Sequence, residues 1–175
     1  MALAKEKGMT VIVTDHHEIP FSKPVDGDED LPCAFDTADG IYDSYYNDKA
    51  YHLPHADCVV DPHRHDDGYA FKGICGAVVA WKLVQVLFEK AGNGLDYMHY
   101  LPEAAFATVT DIMELIDENR VIVWHGLKKM ADSGNAGLDA LIEASGLKKD
   151  MISAYNVGFV LGPCFNASGR IDTAE

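Results

Sequence analysis

Apolar residues change their spacing several times along the chain, and each change marks an element. Residues 1–7 read as the last turns of a helix, and Gly8 is the stop, since glycine readily takes the left-handed conformation that closes a helix. Met9-Thr10-Val11-Ile12-Val13-Thr14 follows as a β-branched run, apolar on both faces as in a covered parallel sheet. From Glu18 to about His55 no period is sustained and Pro, Gly, Asp and Tyr dominate, which predicts an irregular insertion over about 19–55. A short strand is predicted at Asp57-Cys58-Val59-Val60, closed by Asp61-Pro62. After the polar turn from His63 to Gly68, apolar residues recur at Ile74, Ala77, Val78, Trp81, Val84, Leu87 and Phe88, a stripe of helical period that predicts a mostly buried helix. Further helices are predicted over about Tyr97 to Thr108, from about Glu118 to Met130, from near Leu138, and from Asp150 to Phe159, the last leading into Gly162-Pro163.

Strands separated by helices argue for α/β architecture, a parallel sheet flanked by helices. Two clear strands are too few for a self-contained doubly wound sheet, so the chain reads as cut at both ends, an internal piece of a longer protein. The expected division is residues 1–161 as the later portion of one domain and residues 162–175 as the start of a segment leading to a further domain.

Composition narrows the class. The 175 residues are 48% hydrophobic, enough to fill the core of one domain. No stretch approaches a membrane span or a signal peptide, so a soluble cytoplasmic protein without a membrane partner is expected. Cys33, Cys58, Cys75 and Cys164 lack any paired or zinc-like spacing and read as buried or free thiols. His52, His55, His63, His65 and His99 fall in predicted loops or helix edges and read mostly as surface residues. The net charge is −14, with fourteen acidic residues between Asp15 and Asp67 against Lys23, Lys49 and Arg64. That is a poor footprint for a nucleic-acid groove, which shows clustered Lys and Arg.

Three stretches could carry chemistry. Asp15-His16-His17 follows an apolar strand, and the carboxyl end of a strand is where open α/β sheets place ligands and metals. Read alone, the triplet is equally a polar loop tip. Asp111 is a lone acid in Ala107-Thr108-Val109-Thr110-Asp111-Ile112-Met113; local sequence favours a helix cap, with Glu114, Asp117 and Glu118 complementing the next helix. In Gly162-Pro163-Cys164-Phe165-Asn166-Ala167-Ser168-Gly169-Arg170, small residues around an amide and a guanidinium suit phosphate, or a linker. Gly73-Ile74-Cys75-Gly76 opens a helix, where glycine permits either anion approach or tight packing.

In order along the chain, five blocks resemble the RecJ branch of the DHH phosphoesterases: Val11 to Glu18 with Asp15-His16-His17, Ala56 to Pro62, Tyr69 to Ala80, Ala107 to Asp111 with Glu118-Asn119-Arg120, and Gly162-Pro163 with Asn166 to Arg170. The resemblance spans nearly all of the chain outside the insertion. It implies a partial DHH domain with two divalent ions, Mn2+ or Mg2+, in the full-length protein. His16 would be a metal ligand, His17 a metal ligand or a phosphate contact, Asp15 an orienting carboxylate and Asp111 the later metal-binding acid. Gly76, Asn166 and Arg170 would face the substrate. The activity implied is hydrolysis of single-stranded DNA from its 5′ end by a metal-activated water, in DNA repair and recombination, with a single-strand-binding protein or a helicase as candidate partners.

The sequence departs from that pattern at several points. The family's first acidic motif, Asp-x-Asp-x-Asp-Gly after a strand, is not found, and the second acidic motif is missing as well. Asp61 stands where many relatives have Asn, and Cys164 where many have Arg. The isolated chain is therefore expected to bind manganese weakly and to degrade no DNA. Two other readings are open: a DHH phosphodiesterase of oligoribonucleotides or cyclic dinucleotides, and a non-catalytic scaffold that binds partners through its acidic insertion.

Overall fold

The computed structural model describes residues 2–22, 34–36, 41–46, 49–92 and 94–171, and the chain divides into two compact units, Met1–Lys72 and Gly73–Glu175. In the first unit, helix α1 (Ala2–Glu6) ends at Gly8 with φ +73°, and strand β1 (Ile12–Thr14) follows. The turn between them is tied by Asp57, whose carboxylate accepts from Lys5 Nζ and from the Val11 amide, both at 2.7 Å. Strand β1 is shorter than the predicted run. Met9 and Ile12 remain 59% and 56% exposed, because β1 lies in a two-stranded sheet, which lacks the layered cover that a fully buried strand requires.

The insertion departs from expectation. It contains strands β2 (Phe21–Ser22), β3 (Ala34–Asp36), β4 (Ile41–Tyr46) and β5 (Lys49–Pro54), paired antiparallel in the order β2-β5-β4-β3. Residues 23–33, 37–40 and 47–48 of the predicted insertion lie outside the described residues. Strand β6 (Cys58–Val60) then pairs parallel with β1, in the register Ile12 with Cys58, Val13 with Val59 and Thr14 with Val60. The parallel sheet expected from the sequence is thus present, at its smallest size.

The second unit is helical. Helix α2 (Gly76–Ala91) buries Val78 and Val79 but leaves Val86 and Leu87 exposed, so it is less buried than its stripe suggested. A 3₁₀ turn at Tyr97–Tyr100 leads into α3 (Leu101–Thr110), which packs against α4 (Asp117–Met130). Their close approach is allowed by Gly126, where a Cβ would clash with that of Ala105 and lie 2.8 Å from the Leu101 carbonyl oxygen. Helix α5 (Ala136–Ala144) is capped by Asn135, whose Oδ1 accepts from the Gly137 and Leu138 amides, and packs Leu138 and Ile142 against Met130, Val157 and Leu161. The helix predicted over Asp150 to Phe159 begins later and runs further, through Gly162-Pro163. Helix α6 (Ala154–Asn156) passes through one π-helical turn, Val157–Leu161, straight into α7 (Gly162–Ile171); Pro163, which has no amide to donate, directly follows the turn in which the Gly162 amide reaches back to Val157 O and the ladder already departs from the α-helical pattern. Among the described residues, no helix is long and apolar enough to cross a membrane, and Cys58, Cys75 and Cys164 are free thiols.

Candidate functional site

Register builds the site in the first unit. The Asp15 amide donates to the Val60 carbonyl at 3.0 Å, so the residues that follow two parallel strands, Asp15 after β1 and Asp61 after β6, emerge side by side. Asp15 Oδ1 then organises the turn: it accepts from the His16 amide at 2.8 Å and lies 2.7 Å from His17 Nδ1. With Nδ1 protonated to make that contact, Nε2 is the ring nitrogen that keeps a lone pair. The His16 and His17 rings lie with centroids 4.4 Å apart. One ligand-competent atom from each of Asp15, His16 and His17 falls within 4.8 Å of the others, a cluster close enough to share one metal ion.

Electrostatics distinguish the two carboxylates. Burial opposes the charge on Asp15, but the His17 ring and the amides of His16 and His17 outweigh it and hold the carboxyl below its usual range. Asp61 is only 4% exposed, and burial pushes its carboxyl up; the His63 amide, donating at 2.8 Å, offsets part of this, while the charge of Asp15 adds to the penalty. An acid buried beside a second acid is a place where positive charge is favoured. The sequence marked Asp61 only as the end of a strand and a departure from relatives, so its position beside Asp15 is new. His52 and His63 also differ from the surface reading. His52 lines a pocket of about 150 Å3 together with Asp15, His17, Glu18 and Asp61, and His63 Nδ1 lies 3.0 Å from Glu18 Oε1. Nothing in the one-dimensional pattern could have brought His52 there, since the strand that carries it was not foreseen.

The remaining candidates lie in the second unit. Asp111 is a cap, as its local sequence suggested, but at the C-terminal end of α3 rather than at the start of a helix. A carboxylate there opposes the helix dipole, at a cost of about 0.3–1 kcal/mol, so the capping position does not itself account for an acid. The next residue, Ile112, has φ +58°, with its amide donating to Val109 O and that of Met113 to Thr108 O, both at 3.1 Å. This is a Schellman closure with a β-branched residue where glycine is usual. Gly76 opens α2 behind Cys75, whose side chain makes no capping hydrogen bond there. Asn166 is exposed on α7 and lines a groove of about 520 Å3 shared with Thr110 and Ile112, the two neighbours of Asp111. The backbone of Arg170 belongs to α7; its side chain, and residues 172–175, lie outside the described residues.

No protein-family profile matches the chain. Sequence relatives are more informative: the single-stranded-DNA-specific exonuclease RecJ of Bacillus subtilis is 33% identical over 173 residues, covering 99% of this chain and 18% of the relative. The protein of the same name from Salmonella typhimurium is 30% identical, covering 98% of this chain and 26% of its own length. Among solved structures, exonuclease RecJ bound to manganese superposes with a TM-score of 0.64 at 29% identity, over 96% of this chain and 34% of that one. The chain belongs to the RecJ family. RecJ from Thermus thermophilus in complex with Mn2+ gives a TM-score of 0.63 at 30% identity, over 94% of this chain and 20% of that one. The chain therefore spans between about a fifth and a quarter of the length of the curated RecJ relatives it matches, and the mixed architecture with its small parallel sheet is that of a partial DHH domain.

Proposed function

We propose that this chain carries part of the divalent-metal centre of a single-stranded-DNA-specific exonuclease. The observation that supports this most is the meeting of two imidazoles and two carboxylates at the ends of two parallel strands, in a chain of RecJ-family sequence. Oxygen and imidazole donors suit Mn2+, and oxygen donors suit Mg2+. The donor set fits the ions named for the RecJ structures, and the buried charge of Asp61 is the kind an ion would relieve.

His16 and His17 are the proposed ligands, His17 through Nε2. Asp15 fixes the ring of His17 by holding Nδ1, the usual function of a carboxylate behind a metal-binding imidazole. Glu18 and His63 border the site and limit where a substrate can enter. Metal ligation is proposed for Asp111 as well; Gly76, Asn166 and Arg170 are the proposed substrate-facing residues. Divalent ions, when bound, supply an activated water and neutralise the charge of a phosphodiester. The reading extends to 5′-directed digestion in cytoplasmic DNA repair and recombination, with a single-strand-binding protein or a helicase as partner.

The test uses the full-length protein with Mn2+ and end-labelled DNA. Nucleotides should be released from single strands but not duplexes, and His16→Ala should lower the rate at least about 100-fold. Cleavage of cyclic di-AMP or short oligoribonucleotides with single-stranded DNA left intact would move the substrate elsewhere in the superfamily. Unchanged activity in His16→Ala would favour a scaffold. The 175-residue chain alone is expected to release nothing, because it lacks the family's first acidic motif.

A further inference from the structure

The geometry points to Asn119 as a positioning residue for Asp111. This rests on the metal-binding reading of Asp111 given above. Asn119 lies in the first turns of α4 and is 0% exposed, and a buried amide is costly unless it is bonded. Its Nδ2 donates to two main-chain carbonyls, Gly73 O at 2.6 Å and Glu114 O at 3.0 Å, while Oδ1 is buried without a hydrogen-bond partner. Turning the amide over would set Oδ1 against both carbonyl oxygens, so the orientation is fixed. An apolar residue of similar size would fill the space but would leave the two carbonyls unbonded.

What the amide holds is more informative than its burial. Glu114 lies three residues after Asp111, in the stretch that crosses from α3 to α4. On its near side the stretch is fixed by the Schellman closure, which forces Ile112 to φ +58°. On its far side it is fixed by Asn119 through the Glu114 carbonyl. Asp111 is thereby held at the head of a short loop anchored at both ends. An isoleucine in the left-handed region persists only where its surroundings over-determine it, and such strain gathers at functional sites. The second bond, to Gly73, joins that loop to the segment entering α2, where Gly76 is one of the proposed substrate-facing positions of this unit. One side chain thus sets the relation between two segments that the proposed function uses.

The measurement is Mn2+ affinity of the full-length protein, by titration with spin-resonance detection of free ion, for wild type, Asp111→Ala, Asn119→Ala and Ile122→Val. Ile122, buried on the same helix, controls for lost stability. Asp111→Ala should weaken binding, and Asn119→Ala should weaken it by about 10–100-fold, the range for residues that orient metal ligands. Ile122→Val should leave affinity unchanged. If Asn119→Ala fails to fold, Asn119→Ser serves, since its short hydroxyl cannot reach both carbonyls, and the same weakening is expected. Full Mn2+ affinity in a folded Asn119 variant, with Asp111→Ala impaired, overturns the positioning role and leaves the metal reading intact. Full affinity in Asp111→Ala overturns both. Equal weakening by Ile122→Val reduces Asn119 to a structural residue and also overturns the proposal.

Discussion

Replacing Gly126 by alanine adds one methyl group where α3 and α4 cross. Carbon atoms in contact settle at about 3.5–4.0 Å. The added Cβ would come well inside van der Waals contact of the Ala105 Cβ and stand 2.8 Å from the Leu101 carbonyl oxygen. Neither obstacle can rotate away, since one is the first side-chain carbon and the other is backbone. The helices must separate, and a gap of 0.5–1 Å already forfeits about a quarter to a half of each dispersion contact. The contacts at risk are those between α3 and α4, where Leu101, Ala104 and Ala105 on one helix and Ile122 and Val123 on the other are buried. Overpacking of this kind costs about 1–3 kcal/mol and at times more, and the better helix propensity of alanine returns about 1 kcal/mol. Because neither obstacle can move aside, the cost should lie at the upper end of that range, leaving a net loss of about 2 kcal/mol, or about 4–8 °C in Tm for a chain of this size. Urea denaturation followed by circular dichroism should show a lower midpoint at unchanged slope. The Ala105→Gly/Gly126→Ala pair removes one of the two obstacles, so the double-mutant cycle should give a favourable coupling of about 1 kcal/mol. A single variant within about 0.5 kcal/mol of wild type, or a coupling near zero, would refute the close crossing.

Three further outcomes follow from local structure. Ile112→Gly should stabilise the protein by about 0.5–1 kcal/mol in urea, because relief of the left-handed strain exceeds the entropy glycine gains on unfolding, and the 89%-exposed side chain buries little. Asp61→Asn should stabilise the metal-free protein at neutral pH. The Asp61 carboxyl is raised by burial, so its charge costs stability above the folded value, and that cost fades as pH falls towards the unfolded value near about 4; the variant's advantage in EDTA should fade over the same window. Asp57 titrates in the opposite sense. Lys5 and the Val11 amide hold it low, so it stabilises above about pH 4 and that contribution is lost as pH falls through its lower folded value; Asp57→Asn should therefore flatten the acid limb of the stability curve.

The parts legible from sequence are those whose signals are local. The stripe from Ile74 to Phe88 repeats with the helical period and became α2; Gly8 stops α1; Asp57 to Val60 sits between turn residues and became β6. The Asp15-His16-His17 turn was found because the strand before it is local too. The insertion hid its sheet because Ile41-Tyr-Asp-Ser-Tyr-Tyr46 lacks the alternation that marks a strand with one buried face, and hairpin pairing is decided between segments rather than within them. Asp61 was invisible as a site residue for the same reason, since its place beside Asp15 follows from the pairing of Thr14 with Val60.

Asp111 shows where a local rule gives the right category and the wrong end. An acid before Glu114, Asp117 and Glu118 reads as the start of a helix, where negative charge is stabilised by the dipole. The structure begins α4 at Asp117, behind Ile116, and sets Asp111 at the end of α3, where the same charge is disfavoured. Its neighbour Ile112 occupies a conformation suited to glycine, and the loop beyond is fastened by the buried Asn119 amide. Two unfavourable local choices and one costly buried polar group converge within nine residues. Backbone conformation alone would favour glycine at 112, and the helix dipole alone a neutral residue at 111. An acid on a strained, doubly anchored turn is a pattern that gathers at functional sites, which is why the metal-binding role proposed for Asp111 is tested through the residue that fastens the turn.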